Sequence, residues 1–198
     1  GAEAVKVLVS MHTGAMGPVD SAVELLKISR RAPSPEHLNK SIELVKRGPE
    51  NVNQTEWIFA KEIVMLNALI TKTPEVDTEV QAIQIGPAVF VSNPAEYFVE
   101  YGLNIKKHSK FPYTYPVELA NGCVGYVPTE EALSKTGGGY ETRLTSYSNL
   151  ERTAGSKIAK AGVRLANNLK PGKAPTRPPH APFEGKSWSY GNKPAELK

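Results

Sequence analysis

Cysteine is nearly absent. Cys123 is the one thiol in 198 residues, which excludes an internal disulfide framework and any cysteine-rich zinc module. Long hydrophobic runs are missing as well. The longest apolar stretches, Ile63 to Leu66, Ala68 to Ile70 and Pro87 to Val91, fall far short of the roughly 20 residues that a membrane-spanning helix needs. Histidine occurs four times, at positions 12, 37, 108 and 180, with no pair at the spacing of metal ligands on one helix and none near Cys123. A metal site built by this chain alone is therefore not expected. A basic face is lacking too. The net charge is +4, yet residues 1–169 hold 18 Lys and Arg against 18 Asp and Glu, and the excess sits in residues 170–198, six against two. Reading DNA or RNA requires phosphate-directed cations on a folded surface, so no nucleic-acid partner is expected.

What is present suits a globular domain or a piece of one: 40% hydrophobic and 22% charged residues. The chain opens on Gly1 with Ala2 to Val9 already in mid-pattern, as a sequence starting inside a longer protein would. Ala2 to Met11 reads equally as a strand on Val5, Val7 and Val9 or as a helix on Ala4, Leu8 and Met11. A Gly/Pro linker is expected from Thr13 to Asp20, then a strand from Ala22 to Ser29 with Val23, Leu25 and Ile28, followed by Arg30 and Arg31. Ser34-Pro35 starts a helix, with serine as the cap and proline in the first turn, and Gly48-Pro49 ends it. Thr55 to Thr71 reads as a second helix. Val76 to Ile85 and Ala88 to Val91 read as a hairpin across Gly86-Pro87. Asn93-Pro94-Ala95-Glu96 is expected to open a helix to His108 with Phe98, Tyr101, Leu103 and Ile105 on its apolar side, and Tyr113 to Ala120 to follow as a strand. Beyond Asn121 the glycines at 122, 125 and 137–139 mark loops around a short helix capped at Thr129, and Leu150 to Leu169 reads as a last helix. Six prolines from Pro171 to Pro194 make an extended tail that would lay Phe183, Trp188 and Tyr190 on a surface.

Few residues invite chemistry. His12 in its linker reads as solvated, and His108 as a cation suited to a helix C-terminus. Cys123 reads as a small buried filler, because no base is identifiable to make its thiolate. Glu96 has two readings: a first-turn acid that favours the helix dipole, or a site residue at the C-terminal end of a sheet strand. Tyr126 and Tyr140, each beside glycine, read as packed loop tyrosines or as phenols free to approach a metal or an oxyanion.

The segments Glu79-Val80-Gln81-Ala82-Ile83-Gln84-Ile85-Gly86, Asn93-Pro94-Ala95-Glu96-Tyr97-Phe98, Ala120-Asn121-Gly122-Cys123-Val124-Gly125-Tyr126-Val127-Pro128-Thr129-Glu130-Glu131-Ala132 and Gly138-Gly139-Tyr140-Glu141 occur in this order. In that order they resemble the neutral/alkaline, non-lysosomal ceramidase family, over roughly residues 22–169 and in the C-terminal half of its catalytic domain. The resemblance implies a mixed β-sheet flanked by helices (α/β), part of a larger catalytic domain, with residues 170–198 as a Pro-rich basic tail. It implies hydrolysis of the amide of ceramide or a related N-acyl substrate with one zinc ion. Glu96 and Tyr126 would be zinc ligands, and Tyr140 a catalytic group near the reacting carbonyl. The family's zinc histidines and Gly-Asp-Val-Ser nucleophile have no counterpart here, so the resemblance implies a segment inactive alone that binds no zinc by itself. Its partners would be the N-terminal half of the parent catalytic domain, an amphipathic N-acyl lipid and, peripherally, a membrane surface, in a secreted, periplasmic or membrane-surface protein. The Pro-rich tail in place of the family's immunoglobulin-like C-terminal domain would imply a bacterial-type relative. The other reading is a noncatalytic binding or structural module that keeps the fold.

Overall fold

A computed structural model describes residues 1–11 and 17–175. Helix α1 (Ala2–Ser10) belongs to one compact unit, and Ala15–Gly172 form another. The helical reading of the first segment prevails over the strand, supported by Ala2, Ala4 and a Glu3–Lys6 pair one turn apart at 3.5 Å. Positions 12–16 of the expected linker, with His12, and positions 176–198 of the tail, with His180, Phe183, Trp188 and Tyr190, lie outside the described residues.

The larger unit is built on a four-stranded mixed sheet in the order β1 (Val19–Ser29), β2 (Glu75–Ile85), β3 (Ala88–Ser92), β5 (Tyr113–Val117). The first three strands are antiparallel, and β3 and β5 are parallel, joined over α4 (Val99–His108). Period-2 alternation sets the inner face. Ile28, Val80, Ala82, Val89 and Val91 are buried there, in one core with Tyr101 and Ile105 of α4 and with Ile158, Ala161, Leu165 and Ala166 of α5 (Ala154–Asn168). Small residues let α5 come close: a Cβ on Gly155 would lie 2.2 Å from the Tyr101 ring. Buried Gln84 ties down the end of α5, its amide donating to the carbonyls of Lys170 and Gly86 at 2.5 and 3.0 Å. A helical hairpin, α2 (Pro35–Arg47) and α3 (Gln54–Lys72), precedes β2; both start on side-chain caps, Ser34 and Asn53. Among the described residues no helix is long and apolar enough to cross a membrane.

Five expectations are corrected. The helix expected from Asn93 begins only at Val99, because the backbone of 93–98 is spent on neighbours. Asn93 N donates to Val117 O, the Asn93 side chain accepts from Ala95 N, Glu96 N donates to Gly125 O and Phe98 N to Val127 O. Leu103 lies on the solvent side of α4. The Thr129 cap closes a single turn, accepting from Ala132 N, but the chain leaves it at the glycines 137–139 and forms no helix. The strand from Tyr113 ends at Val117, and the last helix starts at Ala154, after Leu150 has bridged to Arg30.

Candidate active site

Where β3 leaves the core its chain continues into β4 (Glu96–Tyr97), which pairs in parallel with β6 (Tyr126–Val127), so that Glu96 and Tyr126 stand as register partners. Glu96 is thus a strand residue at the C-terminal side of the sheet and not a first-turn helix acid. The segment after Tyr126 returns through a 3₁₀ turn (Tyr140–Thr142) and sets the Tyr140 hydroxyl 3.1 Å from the Tyr126 hydroxyl, with the rings edge to face. The structure therefore brings Glu96, Tyr126 and Tyr140 to one place.

Two further residues join them. Tyr147 donates a hydrogen bond of 2.7 Å to Glu96 Oε1 and packs edge-on against the Tyr126 ring. Cys123 Sγ lies 3.1 Å from the Tyr147 hydroxyl. The thiol is exposed, which corrects the buried-filler reading: residues 119–125 form a surface loop with Leu119 and Asn121 at positive φ, leaving no core for the side chain to fill. Sequence reasoning missed Tyr147, which follows the quoted motifs in the polar run Thr145-Ser146-Tyr147-Ser148-Asn149. Its only local signal is a Ser/Thr turn, in which Thr145 Oγ1 accepts from the backbone N–H of Tyr147 and of Ser148.

Polar contacts hold this arrangement from outside. Arg31 donates to the carbonyls of Leu150 and Ser148, Arg30 to the Asn149 side chain, and Asn149 back to Thr145 O and Ser146 O. Desolvation lowers the pKa of both arginines from their ordinary value, a cost that these bonds offset. Ser146 donates to Glu62 of α3, and the Arg143 guanidinium lies over the Phe59 ring. Gly125 fixes the closest approach. Its φ is +81°, and a Cβ there would fall 1.7 Å from Tyr147 O, the acceptor of the Tyr126 N–H.

The surroundings raise the pKa of two of the phenols. Tyr126 is raised well above the ordinary tyrosine value, first by its bond to Tyr140, then by lost solvent and by the charge of Glu96. Tyr147 is raised in the same sense by its contact with Cys123 and then by its bond to Glu96. A carboxyl group beside three phenols can orient donors toward an oxyanion, or present hard oxygen donors to a cation. Carboxylate and phenol oxygens suit zinc chemically, but they supply two of the usual four donors. Among the described residues no three His, Cys, Asp or Glu side chains gather into a metal set. His37 lies in α2, and His108 Nδ1 contacts Asn104 O at the end of α4. A separate cavity of about 210 Å³ beside α4, lined by Tyr97, Leu103, Lys106 and Glu118 among others, includes none of the cluster.

No family model matches the sequence, and no curated protein matches it. Among solved structures, the neutral ceramidase of Pseudomonas aeruginosa is similar over 89% of this chain and 33% of that one, with a TM-score of 0.54 and 15% identity. A ceramidase complexed with C2 is similar over 54% of this chain and 17% of that one, with a TM-score of 0.40 and 19% identity. At such identity the likeness to the Pseudomonas protein is one of fold, and this chain spans about a third of that protein's length.

Proposed function

We propose that the chain is the part of a ceramidase-related zinc amidohydrolase that supplies one wall of the active site, acting on ceramide or another N-acyl amphiphile. The pairing of Glu96 with Tyr126, with the Tyr140 hydroxyl 3.1 Å from that of Tyr126, is the observation that carries the reading. The shared fold supports it. Bound zinc would supply a Lewis acid for the amide carbonyl.

This chain's own residues would do the following. Glu96 contributes an anionic oxygen, oriented by the Tyr147 hydroxyl. Tyr126 would contribute a phenol oxygen to the metal. Tyr140, 64% exposed on the open side of the cluster, donates to the carbonyl oxygen as negative charge develops there. The remaining donors and the nucleophile come from polypeptide outside these residues, so the 198-residue chain alone hydrolyses nothing and holds zinc weakly. A secreted, periplasmic or membrane-surface location goes with the ceramidase resemblance.

The test is amide hydrolysis and zinc content in the complete gene product, with Glu96→Gln and Tyr126→Phe. Both substitutions keep the shape and remove a donor, so activity and zinc should fall together while thermal stability stays within a few degrees. Wild-type activity in either variant removes that residue from the site. A complete protein with neither zinc nor hydrolysis leaves a noncatalytic module with this fold.

A further inference from the structure

The helices α4 and α5 cover one face of the four-stranded sheet. Its other face carries an apolar surface that the described residues leave exposed. The register lines up its rows: Val19, Ile85, Ala88 and Tyr113; then Ser21, Ile83, Phe90 and Tyr115; then Val23, Gln81, Ser92 and Val117; with Leu25 opposite Glu79 beyond. Nine of these are large apolar side chains more than a third exposed, from Val19 at 70% to Phe90 and Ile85 at 37%. Phe90 and Tyr115 stack on each other in the open, with ring centroids 5.2 Å apart. Alternation in a sheet with one wet face puts polar residues outside. Strands apolar on both faces belong to a sheet covered on both, and soluble monomers rarely leave contiguous apolar patches beyond a few hundred Å².

The face is continuous with the candidate site. Its acidic end carries Glu75, Asp77 and Glu79. There Asn121, two residues before Cys123, donates to Glu79 at 2.8 Å, and Lys27 pairs with Asp77 at 2.7 Å. A layer covering the sheet would therefore end against the loop that borders Glu96 and Tyr126.

We propose that this face docks a second layer of polypeptide, contributed by chain outside residues 1–198, aliphatic at its centre and carrying Lys or Arg toward Glu75, Asp77 and Glu79. The inference rests on the reading under Proposed function and names the partner surface that the reading needs. A second copy of the chain would bring the same Glu96 and Tyr126 oxygens and leave the donor set incomplete. A layer from further polypeptide fits both the missing donors and the fold relative, of whose chain about two thirds lies outside the matched part. Sheets stacked this way sit about 10 Å apart, close enough for side chains of the added layer to reach the loop at Asn121.

Thiol labelling tests it. In a Cys123→Ser background, Val23→Cys and Tyr115→Cys report on the outer face, and Val99→Cys, on the exposed side of α4, is the control. Each is made in the 198-residue chain and in the complete gene product. The expected result is labelling at the control rate in the 198-residue chain and at least about 100-fold slower in the complete protein, with Val99→Cys unchanged. Fast labelling of the outer face in the complete protein overturns the proposal, as does a gene product with no polypeptide beyond these residues. Protection already present in the 198-residue chain also overturns it, because the cover is then its own chain or, if protection rises with concentration, a second copy. Zinc content is read separately on the protein with Cys123 intact. Protection without zinc keeps the docking face and removes the hydrolase reading; zinc without protection does the reverse.

Discussion

Strand β3 belongs to two regions that are held together in different ways. Val89 and Val91 lie in the core under α5, fully surrounded. Five residues after Val91, Glu96 lies half-exposed among phenols, positioned by backbone bonds to Gly125 and by the Tyr147 hydroxyl. The core is held by buried area and shape. The site is held by backbone pairing, one glycine and a belt of arginine and serine bonds. The first kind of support is cooperative across the domain, and the second can open locally.

The largest effect should come from the core. Ile158 is 1% exposed against the sheet, and Ile158→Ala should cost about 2–5 kcal/mol, read as a lower urea midpoint with an unchanged slope. Gly155 sharpens the point. An added methyl would strike the Tyr101 ring, and Gly155 O is the acceptor of the buried Tyr97 hydroxyl at 2.6 Å. Gly155→Ala should cost about 1–3 kcal/mol. If these two substitutions loosened only the site, the division into core and site would fail.

Gly125→Ala should act the other way. The positive φ alone costs about 1–2 kcal/mol for a residue with a Cβ, and the methyl has no room beside Tyr147 O. Hydrogen exchange should show lost protection of the Tyr126 amide while the amides of Val80 and Val91 keep theirs. A global loss equal to that of Ile158→Ala would mean that the site loop is part of the core.

An alkaline titration separates the regions more gently. Burial, reinforced by the neighbouring Tyr101, raises the Tyr97 phenol well above its ordinary value of 10.0. The unfolded chain releases that proton first, so the stability this phenol contributes is complete below about pH 10 and declines as pH rises beyond it. Absorbance at 295 nm should show late-ionising tyrosines, part of that change coming only with unfolding, and Tyr97→Phe should reduce the part that comes with unfolding.

The core was legible because burial leaves periodicity in the sequence. Val76 to Val91 announce a hairpin, Ser34-Pro35 a helix start, and Ile158, Val163, Leu165 and Leu169 a last helix, of which Val163 is only partly buried. Where long-range backbone pairing decides, local signals mislead. Asn93-Pro94-Ala95-Glu96 is a good helix start in isolation, yet its amides and carbonyls pair with residues 117–125, and the helix waits for Val99. Period 2 also showed β1 as a strand without showing that Val23 and Leu25 face outward, since apolar residues on both faces look alike in sequence. At the site, Glu96, Tyr126 and Tyr140 came from ordered motifs and their roles remain proposals, whereas Tyr147 left no mark beyond a turn signal.

The smallest effect on stability, and the sharpest probe of the site, is expected at Tyr147. Its hydroxyl is on the exposed side of the cluster and touches only Glu96 and Cys123 through polar atoms, so Tyr147→Phe should change the urea midpoint by less than about 0.5 kcal/mol equivalent. The ring stays packed on Tyr126, and only the orienting hydrogen bond goes. In the complete protein, if Glu96 ligates zinc as proposed, removing the group that orients its carboxylate should weaken zinc binding about tenfold. Cys123→Ser should leave it within twofold, because the thiol reaches Glu96 only through the Tyr147 hydroxyl. A double-mutant cycle over Tyr147→Phe and Cys123→Ser then separates the two contacts. If Cys123→Ser alone reproduced the loss and Tyr147→Phe did not, the thiol and not the phenol would be the group that matters to Glu96. A stability loss at Tyr147 as large as that at Ile158 would show that the phenol cluster is a structural support, held by packing like the core beneath it.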